Sequence, residues 1–202
     1  MHAVFTQSYL FLLADKKGVY FMLKIFINPG HDIDLDSGAC ANGLREVDIA
    51  LAIGKQVKQI MEGIGYPCIL LQSDNLNGET PSKPNVCYTA NNSGADIFIS
   101  IHCNSAANAS AKGTETLIYS VGGEAELLAK CIQSQIVNSL GTVDRGVKER
   151  PDLCVLRNTA MPAVLVETAF ISNEEDAYKL QLRQYAFASA IARGITDFEK
   201  LL

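Results

Sequence analysis

What most constrains this chain is a change of hydrophobic period that recurs from Leu23 onward, short β-branched runs giving way to longer stretches with apolar residues at helical spacing. Leu23 to Ile27 reads as a first strand, cut off by Asn28, Pro29 and Gly30, and a polar, glycine-containing loop runs on to about Arg45. Val47, Ala50, Leu51, Ile53, Gly54 and Val57 then recur as one face of a helix, with Gly63 and Gly65 as its stop signal. Cys68 to Leu71 makes a second strand. Gln72 to Pro84 reads as a surface loop bordering a groove, and a short helix runs through Ala90. The run Asp96 to Ile101 is compact and β-branched, as expected in the middle of a sheet covered on both faces. Thr114 to Tyr119 makes another strand, Glu124 to Leu140 an amphipathic helix, and a loop carries Arg145 and Gly146. Ala163 to Val166 is a late strand, and a helix from about Arg183 to Phe198 closes the chain. Strands that alternate with helices in this way imply an α/β fold, a largely parallel sheet covered by helices.

The 202 residues suffice for one such domain, which buries roughly 70% of the surface of the unfolded chain. That domain is expected over residues 22–202. Residues 1–21 are read as an extra N-terminal arm or a mis-assigned start, because Met22 directly precedes the first strand. The apolar run Tyr9 to Ala14 has no basic region before it and is followed by Asp15, Lys16 and Lys17 where a cleavage site would need small residues, so it is not read as a signal peptide. Its length excludes a transmembrane segment. Seventeen basic residues stand against 22 acidic ones with no basic run, so nucleic acid is not an expected partner. Six cysteines lie singly along the chain, with no CxxC pair, and are expected as reduced, mostly buried thiols. Synthesis in a reducing cytoplasm fits that pattern.

Three polar residues fall at the carboxyl ends of expected strands, where open α/β sheets build their sites: His31, His102 and Glu167. Glu46 joins them at the start of the first helix, fifteen positions after His31. Each also has an ordinary reading. Strand-end histidines are commonly structural, and a first-turn glutamate is favoured by the helix dipole. Glu167 resists that reading, since an acid ending an apolar strand is costly unless it is paired or used. Two histidines and one carboxylate form a catalytic zinc set with an open position, and a second carboxylate is then available as a base.

The segments NPGH ending at His31, GLREVDIALA containing Glu46, ANNSGADIFISIHCN containing His102, DRGVKER, and VLRNTAMPAVLVETAFISN containing Glu167 occur in that order. With them the chain resembles the zinc-dependent N-acetylmuramoyl-L-alanine amidases of bacterial autolysins, sporulation lysins and phage endolysins, from Leu23 to its end. The resemblance implies a three-layer α/β/α sandwich with a mixed, mainly parallel sheet. It implies one zinc ion (Zn2+) per chain on His31, Glu46 and His102, with Glu167 catalytic. It further implies hydrolysis of the amide between N-acetylmuramic acid and L-alanine in peptidoglycan, by a monomer that acts on the cell wall after release or export. The chain departs from the family pattern at Asn28, usually aspartate, at Val86, usually arginine, and in the turn DIDLDSGA. None of these is a ligand position.

Two alternatives remain on sequence grounds. A thiol hydrolase would use Cys103 beside His102, but adjacent residues of an extended chain point to opposite faces. A non-catalytic wall-binding module would call for stacking aromatics, and the chain has no tryptophan. Arg145 is a candidate for steering peptide carboxylates.

Overall fold

The computed structural model describes residues 22–202 and, ahead of them, two short strands, β1 (Ala14–Asp15) and β2 (Gly18–Val19), which pair antiparallel with each other. The reading of residues 1–21 as a separate arm falls for the most part outside the described residues. The chain then runs β3 (Ile25–Pro29), β4 (Cys40–Ala41), β5 (Leu44–Arg45), α1 (Glu46–Gly63), β6 (Cys68–Leu70), α2 (Val86–Asn91), β7 (Ile97–Asn104) and β8 (Thr114–Ile118). It finishes α3 (Glu124–Leu140), β9 (Asp144–Glu149), α4 (Cys154–Asn158), β10 (Ala163–Phe170), α5 (Glu174–Leu182) and α6 (Gln184–Glu199). Six strands form one sheet in the order β6-β3-β7-β10-β8-β9, parallel throughout except where β8 runs against β10. This is the mixed, mainly parallel α/β/α arrangement expected.

Alternation along the strands divides the core. Ile25, Ile27, Ile97, Ile99, Ile101, Val164 and Val166 point to the face covered by α1, α3 and α6, where Ile53, Val57, Ile132, Phe187 and Ile191 meet them with no exposed surface. Each such side chain contributes roughly 1.5–3 kcal/mol by leaving water. Phe26, Phe98, Leu117 and Leu165 point to the other face, against Val86, Cys87 and Ala90 of α2 and Val155 and Leu156 of α4. Phe26 and Phe98 stack there at 5.5 Å. These two helices have 6 and 5 residues, too short to cover the length of the strands. On that face the strands continue toward their carboxyl ends as Asn28, Ser100, His102 and Glu167, polar residues that alternate with the buried aliphatics of the opposite face.

Some elements differ from the sequence reading. DRGVKE forms the edge strand β9 rather than a loop, because pairing with β8 supplies its backbone partners while its charged side chains face solvent or the groove. Helices α4 and α5 were not anticipated. Both β7 and β10 run past His102 and Glu167, so these two residues lie inside strands rather than just beyond them. The segment 72–84 is more than a surface loop. Asn75 is buried, accepting from the amides of Gly78 and Thr80 and donating to the carbonyls of Thr80 and Lys83. The six cysteines form no disulfide with one another, but only Cys87 and Cys103 are buried. Cys40 is exposed, and the remaining three are partly covered. Among the described residues no helix is long and apolar enough to cross a membrane.

Candidate metal centre

Strand β3 ends at Pro29, and the amide of the next residue, Gly30, still donates to the Ile101 carbonyl at 2.9 Å. The chain then turns sharply at His31, which adopts φ 69°, a left-handed conformation uncommon for a residue with a Cβ. Neighbouring contacts hold it there. Asp32 and Asp36 exchange both backbone hydrogen bonds, and the Asp32 carboxylate accepts from the amides of Asp34 and Leu35 and from Lys83 Nζ. This closure brings Asp36 Oδ2 within 2.7 Å of His31 Nδ1 and turns Nε2 inward. Departures from common backbone conformations of this kind cluster at functional sites.

Glu46 is the first residue of α1, where the positive helix end favours an anion. Its Oε1 lies 3.0 Å from His31 Nε2, 2.9 Å from His102 Nδ1 and 3.0 Å from the Cys103 amide, and its Oε2 accepts from the Ala39 amide at 2.9 Å. The imidazoles stand nearly edge to face, with centroids 5.0 Å apart. One ligand atom from each of His31, Glu46 and His102 thus falls within 4.8 Å of the others. Bonds of 2.0–2.2 Å in a tetrahedral zinc site separate ligand atoms by about 3.4 Å, so around an ion Glu46 would move out from each imidazole by about half an ångström and the two imidazoles would draw together. Two glycines allow the close approach. A Cβ on Gly30 would lie 2.2 Å from the His102 ring, and one on Gly38 would lie 2.6 Å from the His31 ring and 2.7 Å from Glu46 Oε2.

The electrostatics match the donor set. Burial works against the charged form of His31, but hydrogen bonds and charge from Glu46 and Asp36 outweigh it and raise its pKa to about 9. Burial likewise opposes ionisation of Glu46, yet the two imidazoles and the Ala39 amide hold its carboxyl far below the usual range. A cation replacing the proton on His31 Nε2 would leave Nδ1–H donating to Asp36, the carboxylate–histidine–metal relay that orients metal-binding imidazoles.

Glu167 stands beside this cluster, paired across β7 with His102 and across β8 with Glu115. Its Oε2 is shut from solvent and has no hydrogen-bond partner among the described residues. Burial, reinforced by the Glu46 and Glu115 carboxylates, outweighs the attraction of the imidazoles and raises its pKa to about 7. A carboxyl poised near neutrality in a cleft suits proton transfer. A pocket at the two imidazoles is lined by His31 and His102 together with Leu76, Leu153, Val155 and Leu165.

The four residues singled out in the sequence therefore converge. Arg145 does not reach the cluster and pairs instead with Glu115 at 2.7 Å. Cys103 faces the opposite side of the sheet from His102, against Thr168, and burial raises its thiol pKa well above the ordinary value, which leaves no thiolate nucleophile. Asn28 is buried, donating to the Leu71 carbonyl and accepting from Ser100, while Val86, the first residue of α2, packs in the core. Asp36, Gly38 and Glu115 were missed, since a turn aspartate, a glycine and a strand glutamate carry no local mark of what they face.

The profile of the family described as N-acetylmuramoyl-L-alanine amidase matches residues 25–197. The uncharacterized protein YqiI of Bacillus subtilis is 42% identical over 178 residues, 86% of this chain and 84% of that protein. The N-acetylmuramoyl-L-alanine amidase LytC of the same organism is 38% identical over 175 residues, 86% of this chain but 34% of LytC, so the chain spans about a third of that relative. Among solved structures, the N-acetylmuramoyl-L-alanine amidase AmiC2 of Nostoc punctiforme superposes with a TM-score of 0.77 at 33% identity, covering 88% of this chain and 97% of that one.

Proposed function

Because the chain belongs to the N-acetylmuramoyl-L-alanine amidase family, we propose that it hydrolyses the amide between the lactyl group of N-acetylmuramic acid and L-alanine in peptidoglycan. The reading assigns one zinc ion to His31, Glu46 and His102. Zinc held there would supply Lewis-acid polarisation of the amide carbonyl and make a water easier to deprotonate. The chain's own residues do the rest. Asp36 orients His31, the amides of Ala39 and Cys103 fix Glu46, and the Glu167 carboxylate accepts the water's proton. As water oxygen bonds to the carbonyl carbon and the C–N bond breaks, the same carboxyl passes a proton to the departing alanine nitrogen, leaving a carboxylate and an amine. Such acid–base help is worth about 10²- to 10⁴-fold. All four groups come from one chain, so a monomer suffices.

The convergence of His31 Nε2, Glu46 Oε1 and His102 Nδ1 beside an unpartnered carboxyl carries this reading. Mass spectrometry of digested cell walls tests it. The expected products are muramic acid with a free lactyl carboxylate and peptides that begin with an unblocked L-alanine. Cleavage at any other bond would overturn it. Metal analysis should find about one zinc per chain, and full activity in the presence of a chelator would remove zinc from the account.

A further inference from the structure

Beyond Glu167, toward the edge of the sheet, lies a second polar cluster. Glu115 of β8 is the cross-strand neighbour of Glu167 and is buried. Its Oε2 accepts from Arg145 Nε at 2.7 Å and from Lys148 Nζ at 2.6 Å, and its Oε1 accepts from Asn104 Nδ2 at 3.1 Å. Burial opposes its ionisation, but these two cations hold it charged.

Arg145 and Lys148 are three residues apart on one strand, so a regular strand would send them to opposite faces. A bulge prevents this. Between the pairs Thr114–Asp144 and Thr116–Val147, β9 spends one residue more than β8, and Gly146 takes φ 77° to make the extra step. The irregularity turns Arg145 onto the face of Lys148, and its guanidinium lies 4.8 Å over the Phe170 ring. Two cations share one carboxylate. The terminal nitrogens of the guanidinium have no hydrogen-bond acceptor among the described residues, and Lys148 keeps two unengaged N–H groups. A purely structural ion pair needs one cation and no bulge.

The geometry points to a carboxylate-binding subsite in which Arg145 and Lys148, positioned by Glu115, take a free carboxylate of the stem peptide one to two residues beyond L-alanine. This rests on the hydrolytic reading above. Two strand spacings separate β10 from β9, about 10 Å, and one to two extended residues beyond the scissile nitrogen span a similar distance, at about 3.5 Å each plus a side chain. The subsite also gives the groove a direction: peptide toward β9, and the glycan over the pocket between His31 and Leu153.

Calorimetric binding of the released L-alanine-started peptide, with its carboxylates either free or amidated, tests the subsite without turnover. The native protein should bind the free form about 10- to 100-fold more tightly, the range for hydrogen bonds to a charged group. Added salt should narrow that difference. Arg145→Met and Lys148→Met should each reduce it, and the double variant should bring it to within about threefold. In turnover of the intact muramyl peptides the same loss should appear in KM. Arg145→Lys, which keeps the charge but not the fork, should recover part of the discrimination and guards against a fold defect. Equal affinity of the native protein for the two peptides, or unchanged discrimination in the double variant, would overturn the subsite while leaving the bond assignment in place. Cleavage at a different bond with the discrimination intact would overturn the assignment and not the subsite.

Discussion

Replacing Glu167 by glutamine exchanges one oxygen for an amide nitrogen and leaves the three proposed ligands untouched. Zinc content should persist and turnover should fall by about two to four orders of magnitude, measured by metal analysis and release of amino groups from purified walls. Loss of zinc would make Glu167 a ligand, and retained lysis would move the base role elsewhere. Stability should stay the same or rise, because the native Oε2 is buried without a partner. The sign follows from its pKa, about 7 folded against 4.5 for the isolated group. The folded carboxyl holds its proton where the unfolded one has released it, so native stability is full below pH 4.5 and is lost as pH rises toward 7. The advantage of Glu167→Gln in thermal unfolding should therefore grow between about pH 5 and 7.5. His102→Ala should lose both metal and activity.

At the scale of elements, two glycines with similar crowding lead to opposite expectations. An alanine at Gly30 would put its Cβ 2.2 Å from the His102 imidazole, a side chain that can swing. Gly30→Ala should keep the fold and weaken zinc binding about 10- to 100-fold, the cost of misorienting a ligand. Gly194 sits where α6 crosses α3, and its Cβ would meet the Ile132 backbone at 2.6 Å. Backbone cannot yield, so Gly194→Ala should cost about 1–3 kcal/mol in denaturant unfolding with zinc stoichiometry unchanged. If Gly30→Ala unfolded the protein while Gly194→Ala lost its metal, the assignment of one glycine to the site and the other to the core would be reversed.

For the whole molecule, metal and fold are linked through His31. Its pKa of about 9 means that in the metal-free protein the folded state retains a proton that the unfolded chain releases above pH 6.5. That contribution is present below pH 6.5 and is lost as pH rises through 9. Zinc must displace the same proton. Its stabilisation, about 4 kcal/mol at a thousandfold excess over Kd, should therefore be larger near pH 8 than near pH 6. Scanning calorimetry with zinc or with chelator at the two pH values measures the difference. Equal shifts at both would show that His31 is not a ligand.

The order of strands and helices was legible in the sequence wherever a buried face imposed a period, as in Phe98 to Ile101 and along α1. The expected places of His31, Glu46, His102 and Glu167 near strand ends and a helix start singled them out as candidates, and the fold brings them together, though β7 and β10 run on past His102 and Glu167. Strand β9 was not legible: its pattern is charged and broken by Gly146, and only pairing with β8 makes it a strand. The same holds for Asp36 and Glu115. One becomes a partner of His31 through a turn closed by backbone bonds between Asp32 and Asp36, and the other becomes a neighbour of Glu167 through antiparallel register. Local sequence fixes which residues are apolar and where the chain must bend. Which polar groups finally face one another depends on strand order, register and a single bulge, and these arise from contacts between segments far apart in the chain.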